Sequence, residues 1–152
     1  MADRSSAGRS AVGPAEIAWQ NPARSAIGVP RRWLERLLGE LAPSADTVGV
    51  RLVTRRESAE LNGRYRGRDE PTDVLSFPGD SGPEGNHLGD IVICPAIARP
   101  QARRADHSPE DELKTLLLHG VLHCLGHDHE TDDGSMERLE RRLRRRWIGN
   151  GS

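Results

Sequence analysis

The sequence predicts an α+β fold: a small mixed β-sheet of about four strands with helices packed on one side, and a metzincin-like three-histidine metal site at the end of a central helix. Three observations carry this. Strand-like alternations cluster early in the 152 residues. Helical periodicity dominates the later part, which suits helices segregated onto a mixed sheet. And "LLLHGVLHCLGHDHETDD" (Leu116 to Asp133) places four of the six histidines within one helix end and the turn after it.

In chain order, "EIAWQ" (Glu16–Gln20) alternates weakly and reads as a short strand. "VPRRWLERLLGELAP" sets Trp33, Leu34, Leu37, Leu38 and Leu41 at helical spacing between Pro30 and Pro43, a bracketed helix. "TVGVRLVT" alternates Val48, Val50 and Leu52 against Gly49, Arg51 and Val53, a strand with one polar face. "ESAELNGRYRG" (Glu57–Gly67) reads as a short helix. Val74 to Phe77 form a strand core closed by Pro71 and Pro78; proline lacks a ladder donor, which favours a sheet edge. "SGPEGNH" is a turn or loop, and "HLGDIVICP" is apolar enough to lie inside a sheet. A helix is expected from Pro95 to Ala105.

"SPEDELKTLLLHGVLHCLG" is the best-marked helix. Ser108 stands as N-cap, Pro109 as the first helical residue, and Glu110 and Asp111 put acid in the first turn. Gly126 is its natural stop. A last helix, from about Asp133 to Trp147, carries Met136, Leu139, Leu143 and Trp147 as an apolar stripe.

Bulk properties narrow the function classes. One domain is expected over residues 15–148, preceded by a disordered tail over residues 1–14, which are small, polar and punctuated by Gly and Pro. No apolar run approaches the ~20 residues of a membrane helix. The N-terminus lacks the hydrophobic segment of a secretory signal, and two cysteines, Cys94 and Cys124, build no disulfide framework. A cytoplasmic protein without membrane contact is the expectation. The net charge of −1 gives no global attraction to nucleic acid, although six arginines fall between Arg138 and Arg146. Glu137 and Glu140 temper that run, which reads as a solvated face.

His119 and His123 are four residues apart, so both imidazoles share one helix face, as a helix presents two ligands to one zinc. Gly126 releases the chain so that His129 can fold back to the same point. The pattern H-x-x-x-H-x-x-G-x-x-H offers three nitrogen ligands and an open fourth position for water, the catalytic type of zinc site. An alternative third ligand is His127: were the helix to continue, His119, His123 and His127 would form one column. Asp128, Glu130, Asp132 and Asp133 are candidates to orient the imidazoles or to lead into the last helix, and Cys124 reads as core.

Zinc peptidases of this pattern carry a glutamate base directly after the first histidine. Here that position is Gly120. Loss of a general base costs ~10²–10⁴-fold, so the metal site reads as intact and the peptidase does not. A substrate bringing its own anionic oxygens, such as a phosphodiester, suits such a site.

"HGVLHCLGHDH" resembles the signature of the YbeY family, bacterial rRNA maturation factors also described as endoribonucleases. "ELNGRYRGRDEPTDVLSFP" (Glu60–Pro78) and "LGDIVICP" (Leu88–Pro95) resemble that family's other two landmark segments, in the same order. The resemblance covers about Glu57 to Asp133. It implies a hydrolase, an endoribonuclease holding one zinc per chain through His119, His123 and His129, with Arg66 of the Y-R-G segment in the active site and no nucleotide cofactor. It also implies partners: precursor rRNA, the small ribosomal subunit and its proteins, in rRNA end processing and ribosome quality control. His127 departs from the tyrosine common in the family. A planar guanidinium binds phosphate bidentately, which gives Arg66 a physical role; Arg64 and Arg68 are looser candidates, and Asp73 is a residue that caps a turn or reaches the site. The competing readings are a non-catalytic ribosome-assembly factor with a structural metal, and a metzincin-like peptidase.

Overall fold

The computed structural model describes residues 15–28, 30–83, 85–127 and 133–149; the N-terminal tail expected at 1–14 lies outside them. In chain order the elements are β1 (Glu16–Gln20), α1 (Arg31–Leu41), β2 (Thr47–Leu52), α2 (Arg55–Arg66), β3 (Val74–Pro78), β4 (Ser81–Gly82), β5 (Gly85–Ile93), α3 (Pro95–Ala105), α4 (Pro109–Cys124) and α5 (Ser135–Trp147). The sheet is mixed and runs β1-β2-β5-β3, with the two-residue β4 pairing β5. β1, β2 and β5 are parallel, and β3 is antiparallel to β5. β3, bounded by proline, sits at the edge as its sequence implies.

The expectation that helices cover one side is corrected by the structure. β5 is apolar on both faces: Ile91 and Ile93 enter the main core, whereas Val92 and Cys94 enter a second cluster with Val53 and Leu75. Leu61 of α2 and Ile97 of α3 pack on that second cluster. A strand read as "IVIC" must be covered twice, because period-two alternation sends its apolar side chains to both faces. The main core packs α1, α4 and α5 against the opposite face, through residues such as Leu34, Leu37, Leu117, Val121 and Met136.

α4 is the pivot of this core. It is apolar nearly all round, with Leu113, Leu117, Leu118, Val121 and Leu122 almost fully buried, which is the mark of a helix with neighbours on every side. Its start is fixed as the sequence predicts: the Ser108 hydroxyl accepts a hydrogen bond from the Asp111 amide at 3.0 Å. α1 and α5 are tied where the Trp33 indole N–H donates to the Trp147 carbonyl at 2.9 Å. The stretch expected as a turn or loop at Ser81–His87 brings β4 back against β5, which begins at Gly85, with Ser81 opposite Asn86 and Gly82 opposite Gly85.

Candidate active site

His119 and His123 lie on the same face of α4, their ring centroids 5.5 Å apart and their planes inclined by 46°. Both are half-buried, at the end of the helix. The helix stops at Cys124. Gly126 takes φ = 102°, a left-handed conformation that side chains resist, and the Gly126 and His127 amides donate back to the His123 and Leu122 carbonyls at 3.0 and 3.1 Å. The chain therefore leaves the helix before His127, and the alternative His119–His123–His127 column does not form. His127 is exposed. His129, the predicted third ligand, lies outside the described residues, as do Asp128, Glu130 and Asp132. Among the described residues no three His, Cys, Asp or Glu side chains converge as a metal-holding group.

A carboxylate that the sequence reading left on a solvated face belongs to this site. Glu140 of α5 is 7% exposed, and its Oε1 accepts a hydrogen bond from His119 Nδ1 at 3.0 Å. In the neutral imidazole that bond places the proton on Nδ1. The same bond, opposed by burial, raises the His119 pKa above its ordinary value, with the charges of Glu140 and Asp73 adding to the rise. Carboxylate–histidine pairs of this kind orient metal-bound imidazoles, and His119 and His123 are nitrogen donors of the type zinc takes. The signal for Glu140 was available in the sequence: it sits between Met136 and Leu143, on the buried stripe of an amphipathic helix. Asp133 accepts bonds from the Ser135 amide and hydroxyl at the start of α5, the helix lead-in the sequence suggests.

Arg66 is the last residue of α2 and is exposed. Its charge lowers the His119 pKa, opposing Asp73 and Glu140; the guanidinium and the imidazole therefore share one electrostatic neighbourhood although they come from different helices. The neighbours differ. Arg64 stands over the Tyr65 ring, which meets Phe77 edge-on at 5.0 Å, and the Arg68 amide donates to the Asn62 carbonyl at 3.3 Å.

Two buried polar side chains of α2 hold the segment that follows. Ser58 exchanges hydrogen bonds with Thr72 (3.0 and 2.9 Å), and the Asn62 amide donates to the Glu70 carbonyl at 2.9 Å. This fixes Asp73, whose Oδ1 accepts from the Val74 amide at 2.7 Å and whose charge adds to the rise in the His119 pKa. The Gln101 side-chain amide, in the orientation that satisfies its neighbours, donates to Asp73 Oδ2 at 3.3 Å and to Glu112 Oε2 at 3.0 Å. Glu112, 7% exposed, also meets His107 Nε2 at 2.5 Å. None of these three residues was singled out from the sequence.

Gly120, directly after His119, points away from the site. A Cβ there would stand 2.8 Å from Ile91 Cγ2, so α4 approaches β5 closely at the position where zinc peptidases keep their glutamate. Cys124 packs against the main core, as predicted, and burial pushes its thiol up to about 11.

Comparison with known proteins agrees across the chain. The family model described as Endoribonuclease YbeY matches residues 22–147. A curated protein of Alkalilimnicola ehrlichii named Endoribonuclease YbeY is 41% identical over 138 residues, covering 84% of this chain and 80% of the relative. One of the same name from Solibacter usitatus is 48% identical over 115 residues, 74% of each chain. Among solved structures, a solution structure of a Thermotoga maritima protein superposes with a TM-score of 0.56 at 32% identity, over 88% of this chain and 89% of that one. The two histidines on α4, the Arg66 end of α2 and these matches lead to one conclusion: the chain belongs to the Endoribonuclease YbeY family.

Proposed function

We propose that this protein is a zinc-dependent, single-strand-specific endoribonuclease that acts on precursor rRNA, in end processing of the small ribosomal subunit and in ribosome quality control. The observation that carries the reading is the pair His119 and His123 on one face of α4, with Glu140 holding His119 through Nδ1. His119, His123 and His129 are the ligands of one zinc per chain. When bound, zinc supplies Lewis acidity and activation of water near neutral pH. Arg66 receives the scissile phosphate through its planar fork and offsets charge that develops on its oxygens. The charge of Asp73 acts on the His119 imidazole in the opposite sense to that of Arg66. The peptidase reading is disfavoured by Gly120, whose side-chain direction is closed by Ile91. The proteins of the small subunit are the partners this activity needs.

The test is cleavage of a labelled single-stranded RNA by zinc-quantified wild type, Arg66→Ala and Arg66→Lys. Arg66→Ala is expected to keep one zinc and to lose about 10²–10³-fold in kcat/KM, the scale of one lost charge-stabilising donor, with partial recovery in Arg66→Lys. Equal cleavage by Arg66→Ala removes Arg66 from the reaction. A zinc-loaded wild type that cuts no single-stranded RNA, alone or with small subunits, removes the enzyme reading in favour of an assembly factor.

A further inference from the structure

At the other end of α2 from Arg66 lies a cavity of about 660 Å³ whose lining includes Arg24, Arg55, Arg56 and Arg99 and no acidic side chain. Arg56 makes a long ion pair with Glu60, at 3.6 Å. Arg24, Arg55 and Arg99 make no ion pair among the described residues. The arginine-rich α5 is the contrast: there Arg138, Arg141, Arg144 and Arg146 meet Asp133, Glu137, Glu140 and Glu40. Arg142 and Arg145 of that run make no ion pair among the described residues, but acids stand along the same helix, whereas the lining of the cavity holds none.

The cavity is also preformed. The Asn21 side chain clamps the loop carrying Arg24, accepting from the Ser25 amide and donating to the Ser25 carbonyl, both at 2.9 Å. Arg24 itself is held at φ = 56°. The groove opens beyond the carboxyl ends of the parallel strands β2 and β5, the usual place for ligands on such sheets. Beside the arginines, its lining is largely apolar, with Val53 and Pro95 buried.

We infer that this groove is a second RNA-binding site, where the arginines take backbone phosphates of a single strand whose scissile bond lies at Arg66. The inference rests on the ribonuclease reading above and extends it. α2 has 12 residues, about 18 Å at ~1.5 Å per residue. A stacked strand rising ~3.4 Å per nucleotide covers that in about five nucleotides. The groove then holds RNA by charge, without reading sequence, because its walls carry no aromatic side chain for base stacking.

The test is binding, which does not require cleavage: a fluorescein-labelled single-stranded RNA of about 12 nucleotides, within the range such grooves cover, titrated with the full chain across a salt series. The groove variant combines Arg24→Asn, which tolerates the left-handed backbone, with Arg55→Ser and Arg99→Gln. Each lost phosphate contact lowers the salt slope by ~0.7, so three are expected to lower it by about 2 and to weaken binding at low salt more than tenfold. Arg142→Ser with Arg145→Ser, on α5, should leave the slope as in wild type. Melting curves verify folding, and Arg99→Gln alone, expected to lower the slope by ~0.7, serves if the triple variant does not fold. An unchanged slope and affinity in the groove variant, with binding weakened by Arg66→Ala, overturns the groove and leaves the ribonuclease reading standing. No binding by wild type at low salt overturns both.

Discussion

Replacing Gly120 with alanine adds one methyl group between α4 and β5, and the structure fixes what it meets. The new Cβ would lie 2.8 Å from Ile91 Cγ2 and 3.0 Å from its Cδ1 and Cγ1. Ile91 is fully buried, its branched side chain is stiff, and β5 is hydrogen-bonded to β2 and β3, so neither the side chain nor the strand recedes freely. Overpacking of this kind costs about 1–3 kcal/mol. Alanine returns about 1 kcal/mol of helix propensity over glycine. The net expectation is a loss of about 1 kcal/mol, seen as a fall in Tm of about 2–4 °C for a chain of this size. Urea unfolding followed by tryptophan fluorescence measures it, with Trp33 in the core and Trp147 packed on it as reporters. Ile91→Val removes Cδ1 and by itself costs about 0.5–1.5 kcal/mol; combined with Gly120→Ala it should cost less than the sum. A Gly120→Ala protein more stable than wild type, with no coupling to Ile91→Val, would refute the reasoning. Gly120→Glu, which buries a charge in the same space, is expected not to fold.

Two further predictions concern the groups around the histidines. Glu140→Gln should weaken zinc binding about 10–100-fold in competition with a chelating indicator, since the carboxylate orients His119; unchanged affinity would mean that Glu140 does not act on the ligand. Cys124, whose thiol burial raises from 9.0 to about 11, should alkylate slowly with iodoacetamide near neutral pH until the protein is unfolded. The fold holds the neutral thiol, so this group leaves stability intact below 9.0 and lowers it as pH climbs towards about 11. Rapid labelling of the native protein at neutral pH would contradict that burial.

What the sequence makes legible follows from local physics. α4 was readable because its cap, its first-turn acids and its glycine stop are all local signals, and the two histidines four residues apart need only helix geometry to share a face. α2 begins two residues before the reading from Glu57: Thr54, read as the end of the preceding strand, caps it by accepting from the Glu57 amide at 3.2 Å, a T-x-x-E signal present in the sequence. Coverage of both sheet faces was implicit in "IVIC" but depends on which helices return to which side, and no local signal carries that. Glu140 was assigned to solvent on its charge although its place on the stripe of Met136 and Leu143 was readable; what no local signal carries is its partner, His119 of α4. The pairing of Arg141 with Glu137 and of Arg144 with Glu140 is local and readable at helical spacing, whereas the Arg146–Glu40 pair and the gathering of Arg24, Arg55 and Arg99 around one cavity are facts of packing.

The measurement closest to the central claim is cleavage of a labelled single-stranded rRNA fragment by metal-quantified wild type beside folded His123→Ala. The account predicts that wild type carries one zinc and cuts, while His123→Ala loses both metal and cleavage with its fold retained. Equal cutting by the two proteins would contradict it, because the histidine pair on α4 would then have no part in the reaction.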